Sequence, residues 1–209
     1  MDVASARNLV GHGARAMIEH GFANAGQPLG PDRSQALLDR FIPLYVDRIA
    51  DESTIFPGCL ETLGALRGAG ARLCVCTNKL TSLARALLKE LAIDSYFDAV
   101  VGPDATVARK PDPRHLLDAI AAAGGEPGRA VYVGDSRPDA LAAFAAGVPS
   151  IGVTFGYTDT PVAELCFDTL IDAYDQLAGA CARLLDGRAG GPCPPGRATL
   201  HPRLPEMDA

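Results

Sequence analysis

RAVYVGDSRPDALAA, residues 129–143, predicts a buried parallel strand that leads directly into a helix. Residues 130–133 form a short apolar run rich in β-branched side chains, which stops at Gly134 as a buried strand does. The alanine-rich segment after Pro138 is typical of a helix that packs closely on a sheet. Asp135 is therefore predicted at the carboxyl end of a parallel strand, where open α/β sheets bind their ligands.

Two carboxylates of this segment, Asp135 and Asp139, suit a hard divalent cation. Asp139 comes four residues after Asp135, in the first turn of the predicted helix, so both can face the same crevice. Oxygen ligands of this kind favour Mg²⁺. The alternative interpretation is that Asp135 is a turn residue and Asp139 a charge at a helix N-terminus.

Helices and strands alternate along residues 55–186, and this rhythm predicts an α/β core with a doubly wound parallel sheet. Residues 1–54 come before any predicted strand and have the apolar spacing of two helices, so we expect a separate helical subdomain. Residues 187–209 are dense in glycine and proline and are expected to form a disordered tail.

The charge balance argues against a nucleic acid or an anionic membrane as the partner. The 209-residue chain has a net charge of −6 and no visible cluster of lysine and arginine. It has no apolar run long enough to span a membrane, and its first ten residues do not resemble a signal peptide. Its six cysteines are scattered and are expected to be buried thiols in a reducing compartment. We therefore expect a cytoplasmic protein that acts on a small molecule, as a monomer or homodimer.

Polar residues follow three of the predicted strands: Thr77 and Asn78, then Lys110, then Asp135. Because the carboxyl ends of parallel strands lie at one edge of a sheet, these residues are expected to converge. A hydroxyl, an amide and an ammonium are suited to the oxygens of a phosphoryl group, which Mg²⁺ would screen. Taken singly, Thr77 is also compatible with a helix cap, Asn78 with a turn and Lys110 with a solvated charge.

Three motifs carry a resemblance to a known family. CTNK at 76–79, RKPDP at 109–113 and VGDSRPDALAA at 133–143 resemble, in order and spacing, motifs II, III and IV of the haloacid dehalogenase superfamily phosphatases. Residues 8–19 and 39–63 resemble the α-helical cap and the cap-to-core junction of its phosphoglycolate phosphatase branch. The resemblance implies a Rossmann-like core with a helical cap and Mg²⁺-dependent hydrolysis of a phosphomonoester, with 2-phosphoglycolate favoured over another small phosphate ester or pyrophosphate.

The resemblance also implies a role for each site residue. Thr77 and Asn78 would bind the transferring phosphoryl group, and Lys110 would stabilise that group and the charge of the nucleophile. Asp135 would ligate Mg²⁺, and Asp139 would support or supplement the metal site. The cap loop would close over the substrate through Gly11, His12 and Gly13, although His12 is equally compatible with a packing or surface histidine.

The nucleophile of this family is absent from the sequence. The family's reaction uses an aspartate nucleophile, through an aspartyl-phosphate intermediate, and a second aspartate two positions on as general acid and base. Both belong to a DxDxT motif at the end of the first strand, and the sequence contains no such motif. That strand lies between the strands of motifs II and IV in the family, so unpaired backbone groups are expected on both neighbours.

Two explanations of this difference remain. We expect that the chain starts at an internal methionine or comes from a truncated gene, and that the DNA upstream encodes an apolar strand and DxDxT in frame. The alternative is a non-catalytic remnant that binds phosphate or a protein. In either case the 209-residue chain is predicted to have little or no phosphatase turnover.

Overall fold

A computed structural model describes residues 13–158 and 160–187. The helices are α1 (Ala14–Asn24), α2 (Pro31–Val46), α3 (Cys59–Gly68), α4 (Thr81–Glu90), α5 (Pro113–Ala122), α6 (Arg137–Ala146) and α7 (Leu177–Leu185). The strands are β1 (Cys74–Cys76), β2 (Ala99–Val101), β3 (Tyr132–Gly134), β4 (Ser150–Val153) and β5 (Thr169–Ile171). The predicted tail lies outside the described residues, apart from Gly187.

Local sequence signals explain the ends of the helices that border the site. The Asp112 side chain caps α5 by accepting a hydrogen bond from Arg114 N, and Pro113 begins the helix. α6 begins with a capping box. The Ser136 side chain accepts a hydrogen bond from the backbone N–H of Asp139, and the Asp139 side chain accepts one from the backbone N–H of Ser136. It ends at Gly147, whose φ of 64° is left-handed. These signals fix where the loops after β2 and β3 give way to helix.

The strands pair in parallel, and helices pack on them, so the predicted α/β class is confirmed. Within the described residues they form two sheets, one of β1 and β2 and one in the order β3–β4–β5. β1 and β3, the strands that precede motifs II and IV, do not pair with each other. This agrees with the expectation for a sequence without the strand that lies between them.

The alternation of the backbone shows which groups of β1 face away from its partner. Thr77 N donates to Val101 O of β2 at 3.0 Å, so the odd-numbered residues of this strand face β2. Because N–H and C=O groups alternate sides along a strand, those of Cys74 and Cys76 face the other way. Among the strands of residues 13–158 and 160–187, β3 likewise pairs on one side only, with β4.

A shared helix layer joins the two sheets. α5 contacts β1 and β2, α6 contacts β3 and β4, and the two helices pack against each other. Leu116 of α5, Tyr132 of β3 and Ala143 of α6 form one buried cluster, against which Cys76 of β1 packs. The free edges of β1 and β3 therefore lie beneath the same pair of helices.

The helices of the N-terminal part pack together and also touch the core. α1 contacts α2, and the buried Ser34 of α2 donates to Glu19 of α1 at 2.5 Å. Lys79, which follows β1, hydrogen-bonds the Tyr45 hydroxyl of α2 and lies 4.5 Å from the centre of its ring. The division into a cap at 1–54 and a core at 55–186 stays a prediction.

The last part of the core differs from what its sequence pattern predicts. After β4 the pattern favours a loop and then a helix from about Asp172, whereas the structure has β5 in that loop segment and α7 begins at Leu177. A strand of three residues is too short for its period-2 pattern to stand out from a loop.

The cysteines also differ from the expectation of six thiols. Cys166 is disulfide-bonded, whereas Cys59, Cys74, Cys76 and Cys181 are free. No helix within residues 13–158 and 160–187 is long and apolar enough to cross a membrane.

Candidate active site

Lys110 is the residue at which the two sheets meet. It lies in the loop between β2 and α5, and only 9% of its surface is exposed. Its ammonium donates to Cys76 O at the end of β1 (2.8 Å), to the Tyr132 hydroxyl of β3 (2.8 Å) and to Asp139 Oδ1 of α6 (2.7 Å). An ammonium has three protons, so each has a protein acceptor in this arrangement.

Asn78 holds the main chain of the same lysine. Its side-chain oxygen accepts a hydrogen bond from Lys110 N at 3.0 Å, and its side-chain nitrogen donates to Lys110 O at 3.1 Å. The loops after β1 and β2 are thereby joined, as their predicted convergence requires. The side chain of Asn78 was expected to contact phosphate, and here it positions Lys110. Its predicted contact with a phosphoryl group stays a prediction.

Thr77 lies at the carboxyl end of β1, beside Asn78. Its backbone N–H continues the ladder with β2, and its hydroxyl oxygen accepts a hydrogen bond from Lys79 N at 3.1 Å. The hydroxyl thus closes the turn that follows β1, and its proton has no acceptor among the described residues. Thr77 therefore has a donor for an oxyanion at the edge where one was predicted.

His115 of α5 contacts the loop of Lys110, and this role was not predicted from the sequence. It is fully buried in α5; its Nδ1 accepts from Lys110 N at 3.1 Å, and its Nε2 lies 3.3 Å from Val101 O. Burial lowers the pKa of His115, so the ring is neutral, with its proton assigned to Nε2 by these contacts. The only sequence signal was a histidine in the first turn of the helix after Lys110.

Asp139 is buried, and protein donors occupy both of its carboxylate oxygens. Oδ1 accepts from Lys110 and from the Tyr132 hydroxyl, each at 2.7 Å, whereas Oδ2 accepts from Ser136 Oγ at 2.6 Å and Ser136 N at 3.1 Å. Burial alone would raise the pKa of Asp139, but the charge of Lys110 and these hydrogen bonds lower it below its ordinary value. Asp139 therefore positions Lys110 as an ionised partner, and its predicted share in a metal site stays a prediction.

Asp135 is the more open of the two carboxylates. Its Oδ2 accepts a hydrogen bond from Tyr157 N at 2.8 Å, and its Oδ1 accepts none within the part of the chain that the structure describes. Burial raises its pKa, and the Tyr157 N–H acts in the opposite direction. The backbone of Gly156 lies so close that a Cβ there would overlap the Asp135 side chain. Gly156 and Tyr157 were not predicted, because they lie in a loop far from Asp135 in the sequence.

This single open carboxylate is compatible with Mg²⁺. Mg²⁺ is held in proteins by one or two carboxylates together with water and substrate phosphate. Asp135 Oδ1 can supply one such ligand at the edge where Thr77 and Lys110 lie. No group of three or more histidine, cysteine, aspartate or glutamate side chains is placed to hold a metal within residues 13–158 and 160–187. The residues thus fit a magnesium ion that shares its ligands with a bound phosphate, rather than a cage made of protein alone.

One residue of the predicted cap loop reaches this edge. Gly13 has a φ of +89°, and a Cβ on it would lie 3.5 Å from Asn78 O. Gly11 and His12 lie outside the described residues, so their predicted substrate contacts stay predictions. Lys79 and Tyr45 make a second contact between the helical part and the loop after β1, and no sequence pattern marked Tyr45 for this role.

A cavity of about 200 Å³ opens beside Lys110. It is lined by Asn78, Arg109, Lys110, Pro111, Arg137, Pro138 and Leu141. All of its charged lining residues are basic, so the cavity favours a small anion.

Comparison with known proteins identifies relatives that are similar to this chain over most of its sequence. The family model described as haloacid dehalogenase-like hydrolase matches residues 1–147, which include every predicted site residue. The phosphoglycolate phosphatase of Caulobacter vibrioides is 52% identical over 179 residues, which are 86% of this chain and 76% of that protein. That of Agrobacterium fabrum is 48% identical over 173 residues, 83% of this chain and 74% of that protein.

Solved structures with a similar fold include phosphatases and related proteins. A predicted phosphoglycolate phosphatase of Haemophilus somnus superposes with a TM-score of 0.78 at 27% identity and covers 86% of this chain and 82% of its own. CbbY of Rhodobacter sphaeroides, solved in complex with phosphate, superposes with a TM-score of 0.72 at 23% identity, covering 87% of this chain and 83% of its own. The second likeness supports the fold alone.

Proposed function

The chain belongs to the haloacid dehalogenase-like hydrolase family and is a phosphatase of that family, and we propose that its site binds 2-phosphoglycolate with Mg²⁺. The observation that carries this proposal is the 52% identity to a phosphoglycolate phosphatase along 86% of the chain. The geometry supports it, because Lys110 links the end of β1 to the Tyr132 side chain of β3, close to Thr77 and to the loop of Asp135.

The phosphate would bind between the turn after β1 and the loop of Lys110. The Thr77 hydroxyl can donate to a phosphate oxygen, and the positive charge of Lys110 stabilises the same oxygens. Since the protons of Lys110 all have protein acceptors, a phosphate oxygen that contacts its ammonium directly has to replace one of them, and Cys76 O is the one at the strand end. A Mg²⁺ ion on Asp135 would supply electrostatic stabilisation of the phosphate charge.

The sequence supplies binding residues without a DxDxT nucleophile, so residues 1–209 are proposed to bind the substrate and to turn it over little or not at all. Full turnover through an aspartyl-phosphate needs an aspartate that this sequence does not provide at that motif. The separation of β1 from β3 also favours the second candidate, a chain that binds phosphate without catalysis. We propose that either form is cytoplasmic and is a monomer or homodimer that binds a small phosphate ester.

Two measurements on the purified chain test this proposal. Phosphate release from 2-phosphoglycolate with Mg²⁺ should stay at the background rate, and appreciable turnover would contradict the proposed inactivity. In parallel, 2-phosphoglycolate with Mg²⁺ should raise the melting temperature, because a ligand that binds only the folded state stabilises it. Pyrophosphate and a sugar phosphate serve as comparison ligands, and a larger shift with either one would replace 2-phosphoglycolate as the substrate.

A further inference from the structure

We propose that Arg109 and Arg137 bind a second anionic group of the substrate, a carboxylate, in the cavity beside Lys110. This inference rests on the proposed function, since it concerns the same bound molecule. It adds two specificity residues to the phosphate-binding edge and states the class of substrate that they select, a phosphate ester that carries a carboxylate.

The two arginines come from different segments of the chain and line one cavity. Arg109 precedes Lys110 in the loop after β2, and Arg137 is the first residue of α6. The cavity volume of about 200 Å³ is enough for a small organic acid, and no aspartate or glutamate lines it. Asn78 and Lys110 line it as well, so it adjoins two residues of the proposed phosphate site.

The charges of these arginines have no carboxylate partner among the described residues. Arg137 donates to the uncharged Thr160 hydroxyl at 3.0 Å. The exposed side chain of Arg109 makes no hydrogen bond or ion pair within residues 13–158 and 160–187, whereas its backbone oxygen accepts from Asp112 N at 2.9 Å. Three other arginines of the chain, by contrast, lie within 4.0 Å of a carboxylate: Arg15, Arg67 and Arg114. Lys110 is likewise paired, with Asp139. The cavity therefore carries two guanidinium charges that no carboxylate of the described residues compensates.

The chemistry of the lining favours a carboxylate in particular. A guanidinium presents its donors in a planar fork that matches the two oxygens of a carboxylate. Pro111, Pro138 and Leu141 supply apolar surface beside that fork, and charge interactions are stronger where water is partly excluded. Each proline also fixes the backbone φ of its own residue close to one of the arginines.

Binding measured by calorimetry at fixed salt concentration tests the inference without any turnover. The ligands are 2-phosphoglycolate and ethyl phosphate, which is of similar size and lacks the carboxylate. Arg109→Ala and Arg137→Ala should each weaken 2-phosphoglycolate binding about tenfold and ethyl phosphate binding less than twofold. Arg85→Ala, which removes the same charge from an exposed position on α4, should change neither.

The binding results separate a failure of the carboxylate subsite from a failure of the proposed function. If the variants weaken both ligands equally, or weaken neither, the carboxylate subsite is wrong while the phosphate site stands. If the unmodified chain binds neither ligand, the proposed function fails, and this inference fails with it. Arg109→Lys keeps the charge and loses the fork, so it should bind 2-phosphoglycolate less tightly than the unmodified chain and more tightly than Arg109→Ala.

Discussion

The strands of this fold are held together in two different ways, within the sheet of β3, β4 and β5 and across the seam, which is the boundary between β1 and β3. β3, β4 and β5 are joined by backbone ladders, with Ile151 of β4 fully buried between its neighbours. Across the seam between β1 and β3, by contrast, the described residues show no ladder, and the buried side chain of Lys110 connects Cys76 O to Tyr132 and Asp139. Lys110, which is proposed to bind substrate, is therefore also the residue that holds this seam.

The largest effect is expected from removing the lysine of the seam. Lys110→Met leaves Asp139 buried without its partner, and breaking one side of a buried ion pair costs about 3–5 kcal/mol. Urea denaturation should show this loss of unfolding free energy, and Lys89→Met in the last turn of α4 is the matched control. A loss below about 1 kcal/mol, the range of surface pairs, would mean that the seam does not depend on Lys110.

Replacing Gly156 by alanine tests the close contact between its backbone and the open carboxylate of Asp135. A Cβ there would overlap Asp135, so Gly156→Ala should destabilise the fold by about 1–3 kcal/mol. It should also reduce the stabilisation that Mg²⁺ and 2-phosphoglycolate give together, because Asp135 has to move. Gly128→Ala is the control, since a Cβ at that position meets nothing within 4 Å. Equal melting temperatures for the two variants would contradict the predicted contact.

The capping box of α6 should have a smaller effect. Ser136→Ala removes the hydroxyl that donates to Asp139 Oδ2 and caps the helix, which typically costs about 1 kcal/mol. Ser136→Asp retains a capping oxygen but places a second negative charge beside Asp139, so it should not restore stability. Thermal unfolding of the two variants separates the loss of the cap from the added charge repulsion, and full stability of Ser136→Asp would show that Asp139 is not ionised.

The smallest effect is a pH dependence from His115. Burial lowers its pKa below the ordinary value of 6.5, so the unfolded chain binds a proton that the folded chain excludes. Stability from this group is thus complete above pH 6.5 and falls as the pH drops below it, by at most about 1.4 kcal/mol per pH unit. His115→Gln should flatten the melting temperature between pH 7.5 and pH 5.5, whereas an unchanged slope would assign the dependence to other groups.

Much of the fold and of the site could be predicted because their signals are local. The alanine-rich segment after Pro138 predicts a helix, and the structure has α6 there, starting at Arg137. The convergence of Asn78 with Lys110 followed from parallel strands alone, and the hydrogen bonds between them confirm it.

The remaining contacts depend on tertiary structure, which no local pattern encodes. Asn78 turns its amide onto Lys110 only because the two loops meet, and His115 supports the same loop from a helix face. Gly156 approaches Asp135 from a loop some twenty residues later in the chain, so nothing near Asp135 in the sequence indicates it. The contact of Tyr45 with Lys79 depends in the same way on how α2 meets the core.

A crystal structure of the chain with 2-phosphoglycolate and Mg²⁺ tests most directly whether Thr77, Asn78, Lys110 and Asp135 surround one bound phosphate. The account predicts phosphate oxygens within hydrogen-bonding distance of Thr77 and Lys110, with the cation on Asp135 Oδ1 and the carboxylate between Arg109 and Arg137. A phosphate bound away from the ends of β1 and β3, or a cation that does not contact Asp135, would contradict it.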